Sequence, residues 1–444
     1  MKSTLPLAAL LAAAFTGPVA SAAELSIPHE IYTLDNGLTV ILAPDNDVPI
    51  VQVNVWYHVG SAEEVVGRTG FAHLFEHLMF QGSEHNNNDY FQPLQEVGGQ
   101  VNGTTNLERT NYFEGVPSEY LPLALWAEAD RMGYLLPALS QERLDNQKEV
   151  VRNERRQRYE NRPYGTVWVT LLDNVFPESH PYNHSTIGEH ADLEAATLDD
   201  VTAFFKTWYV PNNASIVICG DFDVAEAKQL IELYFAQIPA GAEPTPATIP
   251  AVKLTEEKVI RQTEAGAPFQ KVWIAWPSPG VYAPGDAELD LLSTTLSDGQ
   301  SSRLVSELVV KKQIATDVMA YQSSFDGASM FVIEATAAAG HTTDELVAEI
   351  DKILKVVKAK GPTVEEVEMG RTAYEVGFYQ SLFTVAGKAD RLNSYFVNKG
   401  RPDALAEDLQ RYLDATPESI RATAESTLGT GRVVLHIWPA TEAK

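Results

Sequence analysis

The architecture of this chain is set by one segment, Gly70-Phe71-Ala72-His73-Leu74-Phe75-Glu76-His77-Leu78-Met79-Phe80. Its apolar residues recur every three to four positions, which predicts a helix. His73 and His77 stand four residues apart and therefore share one face of that helix, with Glu76 beside them. This arrangement is typical of a metal site, although paired histidines at this spacing also occur as ordinary core or surface residues.

A third metal ligand must come from elsewhere, because a catalytic zinc ion takes three protein ligands and leaves one position for water. The candidate segment is Gln147-Lys148-Glu149-Val150-Val151-Arg152-Asn153-Glu154-Arg155-Arg156, on a charged predicted helix. Within it we select Glu154, 77 positions after His77. We expect one Zn²⁺ per chain, with Glu76 free to take a proton from the attacking water and pass it to the leaving amine.

The sequence around this segment alternates between strand and helix patterns. Asp35-Asn36-Gly37 joins two short strand patterns and predicts a hairpin. Period-2 alternation predicts further strands, and a recurrence of three to four predicts helices. The predicted strands cover 51–59, 110–116 and 214–220, and the predicted helices cover 120–136, 141–159 and 224–235.

A segment rich in proline and alanine, residues 239–255, lacks hydrophobic periodicity and is interpreted as a linker. It separates an N-terminal zinc-binding domain, residues 23–238, from a C-terminal domain, residues 256–444. The C-terminal domain repeats the order of features but has no second zinc motif, so we expect one catalytic and one supporting half. Its strand 272–276, helix 287–296 and strand 433–437 take the places of 51–59, 70–80 and 214–220.

Charge and cysteine content narrow the class of protein. The formal net charge is −27, with 60 acidic and 33 basic residues, so we expect no nucleic-acid partner. Cys219 is the single cysteine, so an intrachain disulfide is excluded, and we interpret Cys219 as a buried strand residue.

The N-terminus has the pattern of a targeting segment. Residues 1–22 combine Lys2, a short apolar run and Ala20-Ser21-Ala22, which predicts a cleaved export signal. From this pattern we expect an exported protein, in the periplasm. No later segment is apolar enough for a membrane span, so we expect the mature protein to be soluble.

The chain resembles the pitrilysin and insulinase family of inverted zinc peptidases, especially its shorter branch with mitochondrial processing peptidase and bacterial two-subunit relatives. The resemblance covers nearly the whole mature chain. It implies an α+β fold of two homologous α/β sandwich domains, each a mostly antiparallel sheet packed by helices; periodicity alone predicts only mixed α and β structure in two units. The motifs that carry it are 70–80, Gly98-Gly99-Gln100-Val101-Asn102-Gly103, Asn153-Glu154-Arg155-Arg156 and Ser301-Ser302-Arg303-Leu304.

The same resemblance assigns roles to individual residues. It makes Glu76 the general base, and it implies that a substrate backbone pairs with an edge strand at Asn102, Gly103 and Thr104. An ordinary turn and strand would also account for these three residues. The zinc ligands that it implies are His73, His77 and Glu154.

Two departures from the family pattern concern the surroundings of the site. Gln147 stands where many relatives carry a glutamate that supports the metal ligands, and a neutral amide there could weaken metal binding. Val309 and Thr316 stand where self-sufficient relatives carry a substrate-contacting arginine and tyrosine. We therefore expect a heterodimer in which a related, zinc-lacking subunit supplies those groups; a homodimer, or other local side chains, are the alternatives.

These features favour a zinc-dependent endopeptidase that cleaves peptides or unfolded polypeptide segments. The alternative is a non-catalytic scaffold or peptide-binding subunit of a larger assembly that has kept its metal. Glu76 speaks against the alternative, because binding zinc does not require this carboxylate.

Overall fold

The computed structural model describes residues 25–86 and 90–440, so the predicted export signal, residues 1–22, lies outside the described residues. The first half contains six strands among these residues, namely β1 (Glu30–Thr33), β2 (Thr39–Pro44), β3 (Ile50–Tyr57), β4 (Gln100–Thr105), β5 (Thr110–Pro117) and β6 (Ala214–Gly220). Its helices are α1 (Phe71–Leu78), α2 (Phe91–Glu96), α3 (Leu121–Ala138), α4 (Gln141–Arg155), α5 (Val167–Val175), α6 (His190–Ala195), α7 (Leu198–Trp208) and α8 (Val224–Phe235). A π-helical segment, Arg156–Glu160, continues α4.

The second half follows residues 239–255, which form neither helix nor strand. Its strands are β7 (Lys258–Glu264), β8 (Lys271–Pro279), β9 (Ala315–Ser323), β10 (Ala328–Ala337) and β11 (Val433–Pro439). Its helices are α9 (Asp286–Ser297), α10 (Thr343–Lys360), α11 (Val364–Ser381), α12 (Val385–Lys399), α13 (Leu405–Asp414) and α14 (Pro417–Thr427), with a π-helical segment at Val305–Lys311.

The two halves build sheets of the same strand order apart from the additional edge strand β1 in the first, which confirms the predicted two-domain fold of helices packed on sheets. The first sheet has the order β1-β2-β6-β3-β5-β4, and the second has the order β7-β11-β8-β10-β9. Among the residues that the structure describes, each sheet has one parallel pair, which is β6 with β2 in the first sheet and β11 with β7 in the second. In both halves a helix follows the strand that pairs antiparallel with the last strand: α1 follows β3, and α9 follows β8. The metal motif therefore lies on a helix that the second half repeats without the histidines.

Each sheet is covered on one face by its own helices and on the other by a helix from the opposite half. Leu171 and Leu172 of α5 pack against Trp273, Val433 and Leu435 of the second sheet. Ala389 and Leu392 of α12 pack against Ile41, Val217 and Cys219 of the first sheet. Because both faces are covered, every residue of β6 is buried. The two halves therefore stabilise each other directly.

Polar contacts fix α12 on the first sheet. Asn393 is fully buried, and its Nδ2 donates to the Asn54 carbonyl at 3.1 Å. Its Oδ1 accepts from Ser215 Oγ at 2.5 Å.

Among the residues that the structure describes, no helix is long and apolar enough to cross a bilayer.

Candidate metal centre

Helix α1 carries the predicted ligands and is anchored at both its apolar face and its N-terminus. Phe71, Leu74, Phe75 and Leu78 are buried in the core of the first half. Their recurrence leaves His73, Glu76 and His77 on the opposite side of the helix, where all three are half-buried.

The N-terminus of α1 is capped by a carboxylate from outside the motif. Glu64, whose side chain is fully buried, accepts hydrogen bonds from the backbone N–H groups of Gly70 and Ala72, both at 2.8 Å. Gly70 itself has φ +87°, and a Cβ there would lie 2.8 Å from the Ile187 carbonyl oxygen. The turn into the metal helix therefore requires a glycine.

Helix α4 brings Glu154 to this face. Leu144 and Val151 of α4 are buried, and Glu154 follows Val151 by three residues, so its side chain projects in nearly the same direction. Glu154 Oε2 lies 3.2 Å from His77 Nε2, and Glu154 Oε1 lies 3.8 Å from His73 Nε2. One ligand atom from each of these residues lies within 4.8 Å of the other two.

The chemistry of this donor set fits zinc. Ligands about 2.0–2.2 Å from a tetrahedral ion are separated from one another by about 3.3 Å, close to the distances around Glu154. Burial, and then the neighbouring His77, lower the pKa of His73 to about 4, so its imidazole is neutral at physiological pH, as a metal ligand must be. Burial alone would raise the pKa of Glu154, but His77, His73 and Arg158 bring it below its ordinary value.

Glu76 lies beside these ligands but is not one of the three donors that come together. Its Oε2 accepts a hydrogen bond of 2.6 Å from Thr105 Oγ1. Burial raises the pKa of Glu76, and the Thr105 hydroxyl opposes that rise. The carboxylate is thus held by one oxygen in a largely desolvated position.

The predicted substrate-pairing residues lie on β4, which is an edge strand of the first sheet. Asn102 is exposed, and its Oδ1 accepts from the Gly103 N–H at 2.9 Å. A Cβ at Gly103 would lie 3.1 Å from both Phe80 and Tyr112, so the strand approaches these rings closely because residue 103 has no side chain. Thr104 is half-buried, and its Oγ1 donates to Asn111 Oδ1 at 2.6 Å.

The other residues named from the sequence are not among the three donors that come together. Gln147 is buried on α4, two helical turns before Glu154. Val309 packs against the core of the second half, and the Thr316 hydroxyl donates to Asp317 Oδ2 at 3.0 Å. Arg303 of the Ser301-Ser302-Arg303-Leu304 motif binds Glu366, so it anchors α11.

Sequence reasoning missed four residues that contact the site. Glu64 caps α1 and Thr105 binds Glu76, whereas Arg158 lies 2.9 Å from Glu154 Oε1 and Arg109 binds the Thr104 carbonyl at 3.0 Å. Arg158 follows Glu154 by four residues, which is a detectable spacing for an ion pair on a helix. The contacts of Glu64 and Arg109 span turns of five to eight residues, and the Thr105 contact joins two separate elements, so none of them has the regular spacing of a helix or a strand.

Comparison with known proteins places this geometry in a family. A model described as insulinase (peptidase family M16) matches residues 39–187, and one described as peptidase M16 inactive domain matches residues 195–374. The zinc protease PqqE of Helicobacter pylori is 29% identical over 376 residues, which cover 83% of this chain and 83% of the relative. The uncharacterized zinc protease YmxG of Bacillus subtilis is 26% identical, covering 85% of this chain and 90% of the relative.

A solved structure of a protease from Helicobacter pylori has the same fold, with a TM-score of 0.86 and 27% identity over 93% of this chain and 100% of that one. The fold and the histidine–glutamate cluster thus define a class of two-domain chains whose relatives are named zinc proteases. Within this class, the chain belongs to peptidase M16, the insulinase and pitrilysin family.

Proposed function

We propose that the chain is a zinc-dependent endopeptidase that cleaves peptides or unfolded polypeptide segments. In this proposal His73, His77 and Glu154 hold one zinc ion, and Glu76 is the general base. The observation that carries the proposal is the meeting of three donor groups from α1 and α4 within 4.8 Å, with a second carboxylate, that of Glu76, beside them and outside the donor set.

The division of labour follows from the position of each group. Zinc bound there would act as a Lewis acid and lower the pKa of a water molecule. Thr105 occupies Glu76 Oε2, which leaves the other carboxylate oxygen to accept a proton from the attacking water and to return it to the leaving amine. A scaffold that only binds metal has no use for such a carboxylate.

The open edge of β4 is the proposed docking site for substrate. An extended peptide would add to the sheet beside Asn102, Gly103 and Thr104, and backbone hydrogen bonds would supply affinity with broad side-chain tolerance. Thr105, the last residue of β4, contacts Glu76, so a peptide on this edge would lead toward the ligand cluster.

Glu76→Gln tests the mechanism, because it removes the base and keeps the shape. We expect cleavage of a quenched peptide to fall at least about 1,000-fold, while zinc content stays near one per chain. Glu142→Gln, an exposed change at the start of α4, is the matched control and should retain full activity and chelator sensitivity. Cleavage that persists in Glu76→Gln would refute the assigned base, and zinc-loaded wild type that cleaves nothing even together with its partner subunit would favour the scaffold.

We also infer that a related, zinc-lacking subunit completes the site. Neither Val309, packed in the second core, nor Thr316 can donate to a substrate carbonyl as arginine or tyrosine would. Purified with that paralogue, the chain should elute as a heterodimer whose activity exceeds that of the chain alone. Full activity of a monomer or homodimer would count against the inference.

Finally, we infer that the protein acts outside the cytoplasm, in the periplasm, on the strength of the export pattern in residues 1–22. The N-terminal sequence of the protein recovered from its host should begin near Ala23. A cytoplasmic product that retains Met1 or Lys2 would contradict this inference.

A further inference from the structure

Strand β4 runs alongside helix α1 and the turn that follows it, and two contacts join them. Gly103 lies against Phe80, two residues beyond the end of α1, and Thr105 lies against Glu76 on the helix itself. Residues two apart on a strand share a face. The close approach at Gly103 therefore sets Thr105 on the same face, where its hydroxyl reaches the Glu76 carboxylate.

The contact at Thr105 is short and directional. The 2.6 Å separation between Thr105 Oγ1 and Glu76 Oε2 is that of a hydroxyl donating to a carboxylate. One carboxylate oxygen is thereby fixed, and the direction of the other is set by the geometry of the group.

The end of β4 is itself held in place. Arg109 Nη1 donates to the Thr104 carbonyl at 3.0 Å and to Asn111 Oδ1 at 2.8 Å. Its guanidinium stacks over Trp56 at 4.9 Å. The hydroxyl that contacts Glu76 therefore projects from a strand that is anchored beside it.

We propose that Thr105 is a positioning residue that orients Glu76 for proton transfer, so that the edge strand serves both substrate pairing and orientation of the base. The proposal rests on the proposed function. It differs from a packing role, because only the hydroxyl matters: serine should replace threonine, and valine, which has nearly the same shape, should not.

The kinetic test compares Thr105→Val and Thr105→Ser in the zinc-loaded chain, together with its partner subunit if activity requires one. We expect Thr105→Val to lower kcat about 10- to 100-fold with KM within about twofold, the rate equivalent of one lost charge-assisted hydrogen bond. Thr105→Ser should stay within about threefold of wild type. Thr105→Ala provides the same loss of the hydroxyl with no added atoms, in case valine disturbs folding.

Thr110→Val is the matched control. Thr110 pairs with Thr105 across the two strands, and its hydroxyl donates to the Val59 carbonyl at 3.0 Å rather than to Glu76. This control should lose some stability and keep kcat. A wild-type kcat in Thr105→Val, or an equal loss in Thr110→Val, would overturn the proposal.

Crystal structures of the metal-free variants provide a readout that does not depend on activity. In Thr105→Ser, Glu76 should keep its carboxylate where the wild type has it; in Thr105→Val, the carboxylate should rotate or become disordered. An unmoved carboxylate in Thr105→Val would refute the positioning role. If wild type proves inactive, the endopeptidase proposal fails, and these structures still decide the role of Thr105.

Discussion

Arg158 would compete with the proposed zinc ion for Glu154. Its guanidinium lies 2.9 Å from Glu154 Oε1, and its side chain is 70% exposed. The positive charge of Arg158 beside Glu154 would repel a zinc ion, and a pair with one exposed side chain contributes about 0.2–1 kcal/mol of interaction free energy. Arg158→Gln should therefore tighten zinc binding by about 1.4- to 5-fold in a competition titration with a coloured chelator. Arg156→Gln, which breaks a contact with Asn153 instead, is the control, and equal affinities in both variants would contradict this interpretation.

Arg131 is a fully buried cation, and its loss should lower the free energy of unfolding strongly. It donates to Glu128 and to Glu114 at 2.9 Å, and all three side chains are fully buried. Arg131→Met leaves two buried carboxylates without their partner, which costs about 3–5 kcal/mol. We expect the free energy of unfolding to fall by that amount, against less than about 1 kcal/mol for Arg68→Met, which breaks a half-exposed pair with Asp200. Similar losses in the two variants would show that burial does not set the cost.

At the scale of elements, the turn into α1 can be tested with two glycines. Gly70 and Gly67 both have positive φ, +87° and +79°, but only a Cβ at Gly70 meets another atom, the Ile187 carbonyl oxygen. Both alanine variants bear the cost of the left-handed conformation, about 1–2 kcal/mol. Gly70→Ala should lose further stability and bind zinc more weakly, whereas Gly67→Ala should bind zinc normally. Weakened zinc binding in both would show that the contact is irrelevant.

Local sequence patterns predicted the elements that carry the ligands. The apolar recurrence at Phe71, Leu74 and Leu78 predicted the metal helix. Glu154 was chosen within a charged predicted helix and matched the zinc glutamate by the family resemblance, and the fold brings it beside His77. The π-helical segment after Arg155 was not predicted, because helical periodicity does not distinguish a shift of one residue in the hydrogen-bond pattern. The Thr105 contact also escaped prediction, because it depends on how β4 approaches α1.

At the scale of the whole molecule, a cluster of carboxyl groups lies where the two halves meet. Glu108 Oε1 accepts hydrogen bonds from Tyr182 and, at 3.0 Å, from the backbone N–H of Asp326 in the second half. Burial, with the neighbouring Asp326 charge, raises the pKa of Glu108 to about 8. Burial also raises the pKa of Asp326 to about 6 and that of Glu63 to about 7. Folding therefore favours the protonated forms of these groups.

This cluster predicts the sign of one pH effect. Because the pKa of Glu108 is higher in the folded chain than in the unfolded chain, the stability linked to it is greatest at low pH and is lost as pH rises from about 4.5 to about 8. Glu108→Gln can keep both accepted hydrogen bonds and removes the charge. The melting temperature of Glu108→Gln minus that of wild type should therefore increase between pH 5 and pH 8. The same difference, or offset, for Glu142→Gln should stay constant. A constant offset in Glu108→Gln would refute the linkage.

The mutual covering of the two sheets could not be predicted from the sequence. Repeated order predicted two homologous halves, but the continuous apolar runs of β6 and β8 say only that both faces are buried, not what covers them. The helices responsible, α5 and α12, lie far along the chain from the sheets that they cover. Long-range contacts of this kind have no local periodicity.

The direct test of the metal centre is anomalous X-ray diffraction from a zinc-soaked crystal, measured above and below the zinc absorption edge. We expect one anomalous peak per chain, about 2.0–2.2 Å from an imidazole nitrogen of His73, an imidazole nitrogen of His77 and a carboxylate oxygen of Glu154, with the Glu76 carboxylate outside bonding distance. No peak between the two imidazoles, or a peak ligated by Glu76 in place of Glu154, would contradict the proposed site.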